Sequence, residues 1–178
     1  MIITEMTKNE CHIFLKQIKF GRLGCVRDKQ PYVVPIYFVS DGKHLYGFST
    51  LGQKIEWMRV NPRVCVEADD VINQLHWRSI VVFGNYQELP DTPAAVHIRE
   101  YALELLQRRA VWWQPAYVAS AHRGPGDVLT PIFYRIRIDE VSGHRASPDP
   151  LEERGLILSA SLPEKGHGLV SRGKILNS

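Results

Sequence analysis

Two hydroxyls, a glycine and a lysine fall close together in Ser49-Thr50-Leu51-Gly52-Gln53-Lys54, an arrangement suited to holding a phosphate. Ahead of them, His44-Leu45-Tyr46-Gly47-Phe48 reads as a short strand. Behind them, Ile55, Trp57 and Met58 give an apolar face at helical spacing that stops before Pro62. A strand running directly into a helix leaves unpaired backbone N–H groups and the positive end of the helix dipole at the junction, where an anion is stabilised. Lys54 would add a full charge. A plainer reading has Ser49 and Thr50 capping the helix and Lys54 as a solvated cation. The segment has neither the glycine-lysine pattern of a P-loop nor a GxGxxG turn, so spacing alone leaves both readings open.

The elements that must position this junction are mostly strands. Thr7-Lys8-Asn9-Glu10 has the form of a capping box, and Ile13, Phe14 and Ile18 follow at helical spacing, so a helix is predicted over residues 8–19. Phe20 to Arg27 and Tyr32 to Val39 read as a hairpin around the turn Asp28-Lys29-Gln30-Pro31. Pro35 cannot donate to a ladder, which puts it at an edge, at a bulge, or where the backbone faces a ligand. The turn Ser40 to Lys43 leads into the strand before the junction. Arg63 to Ala68 and the long run from Leu75 to Leu89 supply two more strands, with Gly84 marking a bulge or bend. A helix is predicted from Pro90 to about Arg109, with Val96, Tyr101, Leu103, Leu105 and Leu106 as its apolar positions. Residues 110–131 are irregular, Ile132 to Ile138 alternates as a sixth strand, and 146–178 reads as a mobile tail after a single domain over 1–145. Six antiparallel strands with peripheral helices predict a mainly β fold, a small closed or partly closed barrel.

Composition narrows the function classes. A hydrophobic content of 44% in 178 residues is enough for one ordinary core. The longest apolar runs fall far short of the ~20 residues a membrane helix needs, and the first residues do not form a secretory signal, so a cytoplasmic protein is expected. Cys11, Cys25 and Cys65 are widely spaced, and the seven histidines lack helical metal-site spacing, so no metal is expected. The net charge of +3 is spread along the chain, and the arginines alternate with acids, which favours small anions over nucleic acid. His76, beside Trp77 at the start of a strand, is a candidate proton donor, although a lone histidine is more often a surface residue. Trp57 could stack on a ring, but at its helical position it is more often core. Trp112-Trp113 suit a substrate lid or a dimer contact.

One ordered set of short motifs goes further. Gly21-Arg22-Leu23-Gly24, Pro35-Ile36-Tyr37, Asp41-Gly42 with Leu45-Tyr46, Lys54 ahead of Asn61-Pro62-Arg63-Val64, Ser79 through Gly84, and Arg135-Ile136 with Gly143 occur in that order. In this the chain resembles the pyridoxamine 5′-phosphate oxidase-related, FMN-binding split-barrel family, especially its nitroimidazole-resistance-like branch, over most of residues 5–143. The resemblance implies a six-stranded antiparallel split barrel with FMN at a homodimer interface. It implies that Lys54 and the Ser49-Thr50 turn hold the phosphate, with Phe48 and Gln53 in the same cofactor-binding stretch. The backbone from Val33 through Val34, Pro35 and Ile36 to Tyr37 would line the isoalloxazine edge, and Trp77, Arg78 and Ser79 would reach in from the partner subunit. Gln53 stands where the oxidase itself has an arginine, and Pro31 and Ile36 replace basic residues of its second strand. The oxidase's C-terminal substrate-binding segment is not recognisable, so pyridoxamine phosphate oxidation is not expected. The resulting expectation is an FMN-dependent oxidoreductase acting on a small molecule, with NADH or NADPH as reductant. The alternative is a non-catalytic module that binds or senses a flavin, haem or deazaflavin.

Overall fold

The computed structural model describes residues 1–108 and 131–149. Its elements are β1 (Ile2–Glu5), α1 (Lys8–Gln17), β2 (Phe20–Arg27), β3 (Gln30–Tyr37), β4 (Val39–Ser40), β5 (His44–Ser49), α2 (Gln53–Val60), β6 (Arg63–Asn73), β7 (His76–Leu89), α3 (Val96–Gln107) and β8 (Ile132–Ser147). All strand pairings are antiparallel, in the order β3-β2-β6-β7-β8-β5-β4, with β1 added to the far end of β8.

That order makes the sheet a barrel. β3 and β4 stand at opposite ends of the strand path, yet only Phe38 separates them in sequence. Tyr37 still pairs with Phe20 on one side, and Val39 already pairs with Tyr46 on the other. The two ends of the sheet therefore meet. Phe38 is 2% exposed, and its N–H donates to Lys19 O at 3.0 Å, so the crossing is pinned from inside and out.

The mainly β expectation holds, with eight strands rather than six. β1 was missed because four residues give too short an alternation, and β4 because Phe38 leaves the ladder and divides the Tyr32 to Val39 run. The capping box at α1 forms: Glu10 N–H donates to Thr7 Oγ1 at 3.3 Å, and Thr7 N–H donates to Glu10 Oε2 at 2.8 Å. Gly84 lies at a register shift between β7 and β8, where a β-carbon would meet Arg137 O at 2.2 Å, so this close approach admits only glycine. The third helix begins at Val96 rather than Pro90, because Thr92 and Ala95 close short turns first. β8 runs to Ser147, and Ala146 is 6% exposed, so the ordered sheet passes the expected domain end at 145. The rest of the expected tail, and Trp112-Trp113, lie outside the described residues.

The interior is filled by Leu23, Ile36, Leu45, Val66, Ile80, Val82 and Ile136 from the strands, with Phe14 and Leu15 of α1 and Ile55 and Met58 of α2 packed onto them. α3 builds a second cluster against β5 and β8 from Ala102, Leu106, Tyr46 and Phe133. Burying side chains of this size contributes about 1.5–3 kcal/mol each. Both ends of α2 are thereby fixed against the barrel.

Candidate functional site

The strand-to-helix junction has the expected form. Ser49 is the last residue of β5, paired with Ile132, and α2 begins at Gln53. Gly52 is the N-cap in an extended conformation, with no side chain capping it. Ile55 and Glu56 N–H both donate to Gly52 O, at 3.0 and 3.1 Å. Ser49 Oγ donates to Thr50 O at 3.0 Å, so neither hydroxyl caps the helix and the plainer reading of this pair fails. The N–H groups of Gln53 and Lys54 have no acceptor among the described residues.

Lys54 is the charged group at this point. It is half-buried, has no ion pair or hydrogen bond among the described residues, and burial holds its ammonium below the usual lysine range. A partly desolvated cation without a partner is costly, and an anion placed against it relieves that cost. Two free N–H groups and the positive end of the helix dipole lie at the same helix start. The donor set fits a phosphate monoester.

Near the C-terminal end of α2 lies an apolar groove on the outer face of the barrel. Val33, Gly24, Cys65 and Phe83 are direct ladder partners in one row across β3, β2, β6 and β7, so they share a face. Gly24 has no side chain, which leaves a notch between flanking residues that are 64% exposed at Val33 and 43% exposed at Phe83. The cleft holds about 290 Å³ and is also lined by Val26, Tyr32 and Arg63. α2 forms part of its surroundings: the Trp57 and Tyr32 rings are 5.4 Å apart, and Asn61 Nδ2 donates to Val26 O at 3.0 Å. Trp57 is thus packed against the core as expected. The groove itself escaped the sequence reading. Its signal was present in Gly24-Cys25-Val26 and Val64-Cys65-Val66, where apolar residues run without alternation and so occupy both faces.

The other candidate residues divide between this region and the far end of the barrel. In β3, Val33, Pro35 and Tyr37 face outward, Val34 is half-buried, and Ile36 is buried in the core, so Ile36 can offer a ligand only its backbone. Pro35 is on an edge strand, as its missing N–H requires. Phe48 is half-buried, with its ring 6.0 Å from that of Phe133. Trp77, Arg78 and Ser79 pair with Val71, Asp70 and Asp69 near the β6–β7 hairpin, while Leu89, at the other end of β7, pairs with Phe133 close to the junction. Ten residues of strand separate Ser79 from Leu89, roughly 33 Å. These three residues therefore do not join Lys54 within one chain. Arg78 is also engaged locally, donating to Asp70 Oδ2 at 2.8 Å and lying over the Phe14 ring. His76 sits in the same hairpin, its N–H donating to Asn73 Oδ1 at 2.9 Å, away from the junction. Among the described residues no group of three His, Cys, Asp or Glu is placed to hold a metal ion, and no helix is long and apolar enough to cross a membrane.

Comparison with known proteins agrees with this architecture. A family model described as pyridoxamine 5′-phosphate oxidase matches residues 7–145, and the chain belongs to that family. An uncharacterized protein of Rhizobium meliloti is 38% identical over 146 residues, covering 82% of this chain and 97% of its own. The crystal structure of a FAD-binding protein from Mesorhizobium loti is 39% identical, with a TM-score of 0.67, covering 83% of this chain and 98% of its own. A Bacteroides thetaiotaomicron protein, described as a candidate 5-nitroimidazole antibiotic resistance protein, is 18% identical with a TM-score of 0.59. It covers 82% of this chain and 89% of its own, and the likeness is one of fold.

Proposed function

We propose that this chain is a flavoprotein oxidoreductase acting on a small molecule, with FMN held between two copies of the chain and reduced by NADH or NADPH. The observation that carries this reading is the unpaired, half-buried Lys54 beside two free N–H groups at the start of α2. The apolar groove near the C-terminal end of the same helix suits a planar ring system, and the 39% identical Mesorhizobium loti protein is a FAD-binding protein. Bound flavin would supply hydride transfer. The chain's own residues bind and orient it: Lys54 and the N–H groups of Gln53 and Lys54 neutralise the phosphate, with Ser49, Thr50 and Phe48 beside them. Val33, Gly24, Cys65 and Phe83 exclude water from one face of the ring.

The second copy enters for a geometric reason. Trp77, Arg78 and Ser79 are a strand length from the Lys54 junction of their own chain, so they can approach a phosphate held there only across an interface. The outward Val33, Tyr37 and Phe83 offer such an interface apolar surface.

The test is the purified protein's absorption spectrum, identification of the released cofactor by chromatography, and stopped-flow reduction by NADPH and NADH. FMN that is reduced by either supports the reading. FAD would correct the nucleotide, flavin that neither reduces would favour a storage or sensing role, and a haem spectrum would overturn the flavin assignment.

A further inference from the structure

A second cavity, of about 450 Å³, opens at the opposite end of β5 from the phosphate seat. Five residues separate His44 from Ser49, roughly 17 Å along the strand. Lys8 and His12 approach it from α1, four residues apart and so on one helical face. Lys43 comes from the turn before β5, and His44 and Arg137 are direct partners across β5 and β8.

The charges around this cavity do not balance. Asp139 also lines it, but its carboxylate already accepts from Arg63 Nη1 at 3.1 Å, Asn85 Nδ2 at 2.6 Å and Arg137 Nε at 2.9 Å. Asp41, the neighbouring acid in the turn, accepts from Lys43 N–H, His44 N–H and Tyr46 Oη. Lys8 and Lys43 have no ion pair among the described residues, and Glu140 is the one lining carboxylate without a partner there. The Nδ1 atoms of His12 and His44 are closed off from solvent with no hydrogen-bond partner, and His44 Nδ1 lies 3.7 Å from Asp41 Oδ2, beyond bonding distance. A buried nitrogen with no acceptor holds a proton poorly, so the neutral His44 ring carries it on Nε2 as a donor. Burial and the nearby Arg135 keep His44 below the usual histidine range, hence uncharged near neutrality.

We propose that this cavity is a binding site for a phosphate-class oxyanion, separate from the flavin seat. An anion there would give Lys8, Lys43 and the free end of Arg137 the partner they lack, and would accept from the imidazoles. It would also offset the arginine charge that adds to burial in keeping His44 neutral, so occupancy and His44 protonation should rise together. The proposal stands whether or not the flavin reading does.

The test is histidine imidazole NMR on the full chain as purified, assigned with His12→Gln and His44→Gln, during titration with inorganic phosphate. A sodium chloride series at matched ionic strength is the control. The expected result is a saturable shift of both histidines in the millimolar range and a raised His44 titration midpoint. Lys43→Ala, an exposed turn residue, should weaken the apparent affinity at least fivefold, while Lys54→Ala leaves it unchanged. Shifts equal to those of sodium chloride, or shifts that disappear in Lys54→Ala and persist in Lys43→Ala, would overturn it.

Discussion

Gly24 stands directly across the ladder from Cys65, and a β-carbon at Gly24 would come within 2.7 Å of Cys65 Sγ. The thiol thus leans over the space that the missing side chain leaves, and together they set the floor of the apolar groove. Gly24→Ala should cost about 1–3 kcal/mol through overpacking. It should also weaken flavin binding, because the added methyl displaces the thiol into the groove. The double variant Gly24→Ala with Cys65→Ala should recover most of both. Thermal melts and flavin titrations on the three variants check this, and a double variant as impaired as Gly24→Ala would show that the groove floor is not what the ring rests on.

Lys54→Ala tests the phosphate seat. A charge-assisted contact of this kind contributes about 1.5–3 kcal/mol, so FMN affinity should fall roughly ten- to a hundredfold. Riboflavin, which lacks the phosphate, should bind wild type and variant alike. Ser49→Ala and Thr50→Ala should each lose about 1 kcal/mol. Fluorescence quenching measures all of these, and equal FMN affinity in wild type and Lys54→Ala would remove the seat from this junction.

The same lysine should be a burden when the site is empty. Burial lowers its folded-state pKa, so the unfolded chain holds the proton more tightly, and apo-protein stability from this group rises with pH from the folded value up to about 10.4. Lys54→Met should therefore raise the melting temperature of apo-protein near pH 7 while losing affinity for FMN. A lowered melting temperature in that variant would mean that Lys54 has a stabilising partner.

The tyrosines give a second pH signature. Burial, and then the neighbouring Asp41 carboxylate, push Tyr46 up to about 12, and burial also raises Tyr86 and Tyr134. A raised folded-state value stabilises fully below the unfolded pKa near 10 and is lost as pH climbs from 10 toward 12. Alkaline unfolding should follow that window, and Tyr46→Phe should flatten it while costing about 1 kcal/mol at neutral pH for the lost bond to Asp41. Denaturant melts at pH 8, 10 and 11 decide the matter.

The proposed sharing of the site between two copies makes a paired prediction. Trp77→Ala or Ser79→Ala should weaken both cofactor retention and self-association, whereas a chain ending at residue 149, after the last β1–β8 pair, should keep fold and cofactor. Light scattering with flavin quantitation reads both outcomes. A monomer at micromolar concentration that retains flavin would count against the interface.

What the sequence disclosed was what local chemistry controls. The reciprocal bonds of Thr7 and Glu10, the edge position of Pro35 and the bulge at Gly84 each follow from what one or two residues can or cannot do. The junction around Lys54 was legible because strand, turn and helix are contiguous there. The groove was not, since its row of Val33, Gly24, Cys65 and Phe83 draws on four strands and exists only once their registers are set. The Lys8, His12, His44 and Arg137 cavity was hidden for the same reason, because helix and strand supply residues more than 100 positions apart. Phe38 read as mid-strand because its turn inward is dictated by barrel closure and not by its own propensity.

The strand order also governs how the molecule can be made. β8 is the last described strand in sequence, yet it lies between β7 and β5 and carries β1 as well. Until residues 132–147 have left the ribosome, β7 and β5 face each other across a gap, each with an open row of N–H and C=O groups. A nascent chain at that stage is an unfinished ring with two adhesive lips. β8 acts as its keystone, and synthesis that stalls before it should yield aggregates instead of a smaller stable domain.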